Sequence, residues 1–507
     1  MIATVDAATI LGARGHPVTV EVHIAKGLPG FVMLGLPDES CREARDRVRA
    51  AVMSSGFPWP EKKITVNLAP PHYRKAGSGL DIAIAIGILV ACEVVPVDAV
   101  RGLAFAGELG LDGTVRRVPG IAPMVGVRPD HDWVVPADAV AEARVVGTGM
   151  IRPVERLDQL VEALTGAARW PTFDEAPSVF VEPELNDLAD VKGQPLARLA
   201  LEVAAAGGHH VLFVGPPGSG KTMLARRLTG LLPDLDRDMA LQSTMVHSAA
   251  GVALPAGGLL TRPPFRSPHH TSSLGSVVGG GSHQMRPGEI SLAHGGVLFL
   301  DEMGQFAPSV LDGLREALEE GCVMVGRVEQ LRVPMPARFQ LIGATNPCPC
   351  GGNGTLSDCA CDERSRTRYS QRLSGPLLDR FDLRVAVHRP DVTDLLGGAP
   401  GESTADVAAR VARARRAAVM RSGGLNAELD ENGLNEYAPL DDQAERRIRD
   451  EIERGRLTGR GYHRVRRVAR TIADLAGGSD RAIQEGDIAA ALAMRARVGL
   501  SAVGSAT

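Results

Sequence analysis

Apolar residues are spaced differently in successive parts of this chain, and the spacing divides it. From residue 1 to about 165, short apolar or alternating runs (Ile2 to Val5, Val18 to Ile24, Ile64 to Leu68, Leu103 to Ala106) are punctuated by Gly and Pro and predict strands. Ser40 to Ser54 and Leu80 to Cys92 predict helices between them, so this part reads as an α/β domain. Residues 166–185 carry Pro171, Pro183 and scattered acids and predict a linker. From 186 to 390 the strands become continuously apolar, Val211 to Val214 and Val297 to Leu300 foremost, as in a parallel sheet covered on both faces. From 403 to 500 the period is helical, at Ala405 to Met420, Leu440 to Glu453, Tyr462 to Leu475 and Asp487 to Arg497.

Composition narrows the class. A chain of 507 residues suits roughly three domains, each able to bury its own core. Met1 to Arg14 is not a basic stretch followed by an apolar one, and no apolar run reaches the roughly 18 residues of a membrane helix. A soluble, cytoplasmic protein without a membrane partner is the expectation. The net charge of -4 gives no global attraction to nucleic acid, so any such contact must be local.

The most specific motif is Gly215-Pro216-Pro217-Gly218-Ser219-Gly220-Lys221-Thr222, between the apolar run Val211 to Val214 and a predicted helix Met223 to Leu232. Gly218 and Gly220 can take positive φ and turn successive backbone N–H groups around phosphates, and the helix N-terminus adds positive potential. Lys221 would reach the β and γ phosphates of ATP, and Thr222 would hold Mg²⁺. Upstream, Asp190-Val191-Lys192-Gly193-Gln194 opens a predicted helix, Pro195 to Ala206.

Downstream, Val297 to Leu300 ends in Asp301-Glu302, where Asp301 would meet Mg²⁺ and Glu302 would polarise the attacking water. Two acids after a strand can also simply open a helix; the preceding phosphate loop favours catalysis. A third strand, Phe339 to Ala344, leads to Thr345-Asn346-Pro347, with Asn346 placed to orient water beside the γ phosphate or, more plainly, to make a turn. Ser374 to Leu383 presents Arg380. A guanidinium supplied by a neighbouring subunit would stabilise the charge spreading over the γ-phosphoryl oxygens. From Arg454 to Arg470 lie seven arginines and no acidic residue, with Arg460 the candidate to fold back on the nucleotide and most of the others a solvated or interface face.

Two stretches inside this module are less common. Pro264 to Thr271, Gly279-Gly280-Gly281 and Pro287 to His294 precede the acid-bearing strand. The adjacent His269 and His270 suit loop packing or phosphate contact better than a shared metal, because neighbouring residues point apart. Gly321 to Val333 alternates around Gly326-Arg327 and predicts a β-hairpin. Four of the seven cysteines, Cys348, Cys350, Cys359 and Cys361, form a C-x-C pair of pairs, which suits structural Zn²⁺, an iron–sulfur cluster or reduced thiols. Arg364, Arg366, Arg368 and Arg372 with Tyr369 could contact phosphate and stack on a base, or form a solvated helix face.

In the first domain, Lys75-Ala76-Gly77-Ser78-Gly79-Leu80-Asp81 and Gly107 to Gly113 resemble the Lon-protease-like domain, whose chemistry needs a Ser-Lys pair. Aligned on Lys75 and Gly77, the nucleophile's place falls on Gly79, and no lysine follows until Lys192. A serine without an activating amine is a poor nucleophile, so residues 1–165 are expected to be proteolytically inactive.

Taken together, Arg262 to Thr271, Pro287 to Asp301 and Ser374 to Leu383 resemble the YifB/ComM family of magnesium-chelatase-like AAA+ ATPases over nearly the whole chain. The resemblance implies a Lon-protease-like α/β domain (1–165), a linker (166–185), an AAA+ core with parallel sheet (186–390) holding the four-cysteine loop (348–361), and a helical lid (391–507). It further implies a homohexameric ring, the phosphate-loop, magnesium, hydrolytic, sensor and arginine roles for Lys221, Asp301, Glu302, Asn346, Arg380 and Arg460, and a motor on single-stranded or branched DNA that promotes branch migration during integration of transforming DNA. The rival reading is a chelatase-like remodeller or chaperone acting on a protein, with the N-terminal domain recruiting partners.

Overall fold

The structure, a computed structural model, describes residues 2–172, 180, 186–281, 285–326, 332–351, 359–372, 375–390 and 401–495. Most of the expected linker, Arg327 at the hairpin tip, Ser374 and the side chains of Arg366 and Arg372 lie outside the described residues, as does the end of the helix expected to reach Arg497.

The first part is a seven-stranded sheet with spatial order Gly30–Leu34, Lys63–Ala69, Arg14–Ala25, Ile2–Leu11, Leu103–Phe105, Asp132–Pro136, Ile151–Val154. The long hairpin Ile2–Leu11 with Arg14–Ala25 and the pairing of the latter with Lys63–Ala69 are antiparallel; the remaining neighbours are parallel. Helix Asp81–Ala91 is apolar all round beyond Asp81, which pairs with Arg47, as suits a helix every residue of which is buried. Three strands escaped the hydrophobic pattern. Gly30–Leu34 is an edge strand with no buried residue, while Asp132–Pro136 and Ile151–Val154 are short and interrupted by prolines.

The second part is a five-stranded, all-parallel sheet ordered Phe265–Arg266, Val297–Leu300, Gln340–Thr345, Val211–Val214, Leu383–Ala386. Val211–Val214, Val297–Leu300 and Gln340–Thr345 are fully buried, as their composition requires. Helix Pro195–Gly207 carries proline in its first turn, where the missing N–H costs nothing. The phosphate-loop helix is shorter than expected: it spans Lys221–Arg227, and a single 3₁₀ turn, Thr229–Leu231, takes over before Pro233.

Helices Thr404–Ser422, Glu431–Tyr437, Asp442–Glu453, Gly459–Leu475 and Glu485–Ala493 complete the chain, several capped by Ser403, Asp430, Asp441 or Thr458 side chains. They share one core with one face of the parallel sheet, so these helices and the sheet pack as a unit. The inserted hairpin pairs Cys322–Val325 with Val333–Pro336, its return strand running beyond the expected Val333. The two sheets meet where helix Arg237–Ala250 receives Ile121–Gly126: the Gly120 N–H donates to the Ser248 carbonyl at 2.8 Å and the Ala122 N–H to the Ser248 hydroxyl at 3.2 Å. No helix among the described residues is long and apolar enough to cross a membrane.

Candidate nucleotide site

Three adjacent parallel strands, Val297–Leu300, Gln340–Thr345 and Val211–Val214, end at the same edge, and their carboxyl ends carry Asp301-Glu302, Asn346 and the phosphate loop. Gly218 (φ +76°) and Gly220 (φ +88°) take the left-handed conformation that the loop needs, and a Cβ on Gly215 would lie 2.0 Å from the Val387 carbonyl oxygen. A cleft of about 710 Å³ opens over them, lined by the loop from Pro217 to Thr222, His269, His270, Asp301, Glu302 and Asn346.

Within the cleft the charged groups are already in register. The Lys221 ammonium donates to the Gly215 and Pro216 carbonyls, both at 2.8 Å, and reaches the Asn346 side-chain oxygen at 3.2 Å. Burial pulls its pKa below the usual lysine value, and the Asp301 and Glu302 carboxylates oppose that pull. Thr222 donates its hydroxyl proton to Asp301 at 2.7 Å, while the other Asp301 oxygen accepts from the Glu302 N–H at 2.9 Å. A hydroxyl and a carboxylate are the hard oxygen donors that Mg²⁺ takes, so this pair fits the ion.

Glu302 sits at φ +49°, which only a few non-glycine residues tolerate, and its carboxylate lies 3.4 Å from His270 Nδ1. The two histidine rings lie beside each other rather than pointing apart, centroids 4.2 Å apart and planes tilted by 33°, and His269 bonds Thr271 at 2.8 Å. They contribute to loop packing and line the phosphate cleft.

Several contacts carry no sequence signature. Gln194, itself at φ +58°, donates its amide to the Ser219 carbonyl at 2.8 Å and to the His388 carbonyl at 2.6 Å, tying the segment before Pro195 to the phosphate loop. Arg389 reaches the Pro217 carbonyl at 3.3 Å. Tyr369, read from the sequence as able to stack on a base or to lie on a solvated helix face, is buried: its hydroxyl bonds Thr345 at 2.8 Å and donates to the Asn346 carbonyl at 3.3 Å. Burial raises its pKa, and a ring that supports the strand end is not available to stack on a base.

Two arginines stand apart from this cleft. Arg380 pairs with Glu319, and burial and then Arg464, Arg315 and Arg460 lower its pKa. Arg460 is largely exposed, 3.7 Å from Asp379. Neither lines the cleft of its own chain, so Arg460 does not fold back on the phosphate loop in this arrangement.

The four cysteines of the C-x-C pairs converge, their sulfurs all within 4.8 Å of one another, with Cys348 to Cys350 at 3.3 Å and Cys350 to Cys359 at 3.7 Å. Tetrahedral Zn–S bonds of about 2.3 Å place sulfurs roughly 3.8 Å apart, so the set fits a single ion. In the other domain, Ser78 donates to Glu108, while the Lys75 amine donates to the Pro70 carbonyl and, at 3.0 Å, to that of Tyr73. Hydroxyl and amine have separate partners.

Comparison with known proteins agrees with this arrangement. Residues 187–395 match the family description "Magnesium chelatase, subunit ChlI", residues 20–138 "Subunit ChlI of Mg-chelatase", and residues 401–495 "Magnesium chelatase, subunit ChlI C-terminal". The chain is 44% identical over 497 residues to protein Rv2897c of Mycobacterium tuberculosis, covering 96% of this chain and 97% of that one. It is 40% identical to YifB of Escherichia coli, covering 94% and 93%, and 39% identical to the competence protein ComM of Haemophilus influenzae, covering 98% of both. With a phosphate loop, paired acids and a parallel sheet in place, the chain belongs to the YifB/ComM family of magnesium-chelatase-like AAA+-type ATPases.

Proposed function

We propose that this protein hydrolyses ATP with Mg²⁺ in a homohexameric ring and uses the energy to move along single-stranded or branched DNA in the cytoplasm, promoting branch migration. The observation that carries the reading is the convergence of Lys221, Thr222, Asp301 and Asn346 through direct hydrogen bonds of 2.7 to 3.2 Å from three different strand ends. Bound there, ATP would exchange the carbonyl partners of Lys221 for phosphate oxygens. Thr222 and Asp301 would hold Mg²⁺, which neutralises phosphate charge. Glu302 would leave His270 to polarise the attacking water, and Asn346 would orient it.

Arg380 lies away from its own cleft, which suits a role at a neighbour's nucleotide. Such a site is complete only between two copies. The four cysteines would hold Zn²⁺ as a structural ion. The N-terminal domain, lacking a Ser-Lys contact, would serve as an interaction domain. The DNA reading leans on the similarity to a competence protein. Phosphate release with and without single-stranded or forked DNA tests it: DNA should stimulate the wild type and leave Lys221→Ala inactive. Stimulation by a protein partner alone, with DNA inert, would replace the motor by a remodeller.

A further inference from the structure

The four thiols are not at a distance from the nucleotide cleft. Cys348 follows Asn346 by two residues, and Gly351, at φ +85°, donates its N–H back to the Cys348 carbonyl at 3.0 Å. That turn lies so close to the phosphate loop that a Cβ on Gly351 would fall 2.8 Å from the Pro217 ring. On the other side of the cluster, Cys359 and Cys361 lead directly into helix Glu363–Arg372, which carries Tyr369. The Tyr369 hydroxyl grips Thr345 and Asn346, and its ring packs so tightly on the turn after Glu302 that a Cβ on Gly304 would lie 2.6 Å from it. The cysteine pairs therefore join the two chain segments that fix Asn346, one before it in space and one behind.

We infer that a Zn²⁺ ion on Cys348, Cys350, Cys359 and Cys361 clamps these segments together and positions Asn346 and the phosphate loop, so that metal occupancy governs nucleotide turnover. The segment is too poor in apolar residues to hold this geometry by packing alone, and metal–thiolate bonds supply it. The inference rests on the ATPase reading for its catalytic half; the metal half stands by itself.

The test uses the full-length protein. Purified wild type should carry about one zinc per protomer, and Cys359→Ser, remote in sequence from Asn346, should lose it and lose roughly 10- to 100-fold in turnover. Cys359→His, which keeps a zinc ligand, should restore both. Gly351→Ala should retain zinc yet weaken binding of a fluorescent ATP analogue and turnover, because it leaves the thiols intact while straining the φ +85° turn and driving a Cβ against Pro217. Folding of each variant is checked by its thermal transition. Wild-type ATPase that is unchanged in folded, zinc-free Cys359→Ser protein would overturn the inference, as would an absorbing iron–sulfur cluster in place of zinc. A zinc-loaded wild type that binds and hydrolyses no nucleotide would instead overturn the ATPase reading.

Discussion

Two buried lysines, each beside a Gly-rich turn, mark the two halves of this molecule and behave in opposite ways. Lys75, in the N-terminal domain, is 0% exposed; its amine lies 4.5 Å from the Tyr73 ring centroid and is consumed by the Tyr73 and Pro70 carbonyls. Lys221 is 8% exposed, and its amine donates to two backbone carbonyls and to the Asn346 side-chain oxygen at the floor of an open cleft beside Asp301 and Glu302. Burial lowers the pKa of both, but carboxylates oppose the shift only at Lys221. A buried cation becomes useful where it faces a space that an anion can enter; sealed against carbonyls, it is part of the core.

The comparison breaks first, if it breaks, in the cleft. Lys221→Ala and Glu302→Gln should each cut ATP hydrolysis by about 10²- to 10⁴-fold in a phosphate-release assay, with the thermal midpoint little changed and Glu302→Gln still binding nucleotide. Lys75→Met should do the reverse. By stranding two carbonyls it should destabilise the N-terminal domain by about 1–3 kcal/mol in denaturant titration while leaving hydrolysis intact. Loss of hydrolysis in folded Lys75→Met protein would make the two lysines alike.

A smaller effect is expected at the contacts that hold the loop. Arg389→Ala and Gln194→Ala each remove a donor to a phosphate-loop carbonyl and should raise KM for ATP by roughly fivefold, about 1 kcal/mol. The mildest test is acid titration. His210, His247 and His294 of the ATPase half are held to about 4 by burial, below the ordinary 6.5. Their contribution is present above pH 6.5 and declines as pH falls toward 4, because the unfolded chain takes up protons first. Hydrogen exchange across that range should show the ATPase core loosening, and His294→Gln should flatten the slope.

What could be read from the sequence was local. The phosphate loop, Asp301-Glu302 and Asn346 each sit at the end of an apolar strand, so contiguous residues disclose both the element and the group at its tip. Gln194, Arg389 and Tyr369 could not be read this way: each acts on a residue distant in the chain, and only the packing of sheet, loop and helix brings them together. Arg380 was legible as a cation but not by address, since under the proposed assembly the nucleotide it would serve belongs to another copy; Arg460, expected over its own nucleotide, lies beside Asp379 instead. The edge strand Gly30–Leu34 is a short apolar run without the alternation that marks a half-buried strand, and only Phe31 and Met33 of it pack partly against the core. The cysteines announced a cluster, but not that it lies against Pro217.

The seam between copies is tested most directly by mixing Arg380→Ala protein, which keeps Glu302, with Glu302→Gln protein, which keeps Arg380. Each alone should be nearly inactive, and a mixture that assembles should regain hydrolysis at sites formed by one of each. Mixed rings that assemble and bind ATP yet stay as inactive as the separate variants would contradict the placement of Arg380 at a neighbour's nucleotide.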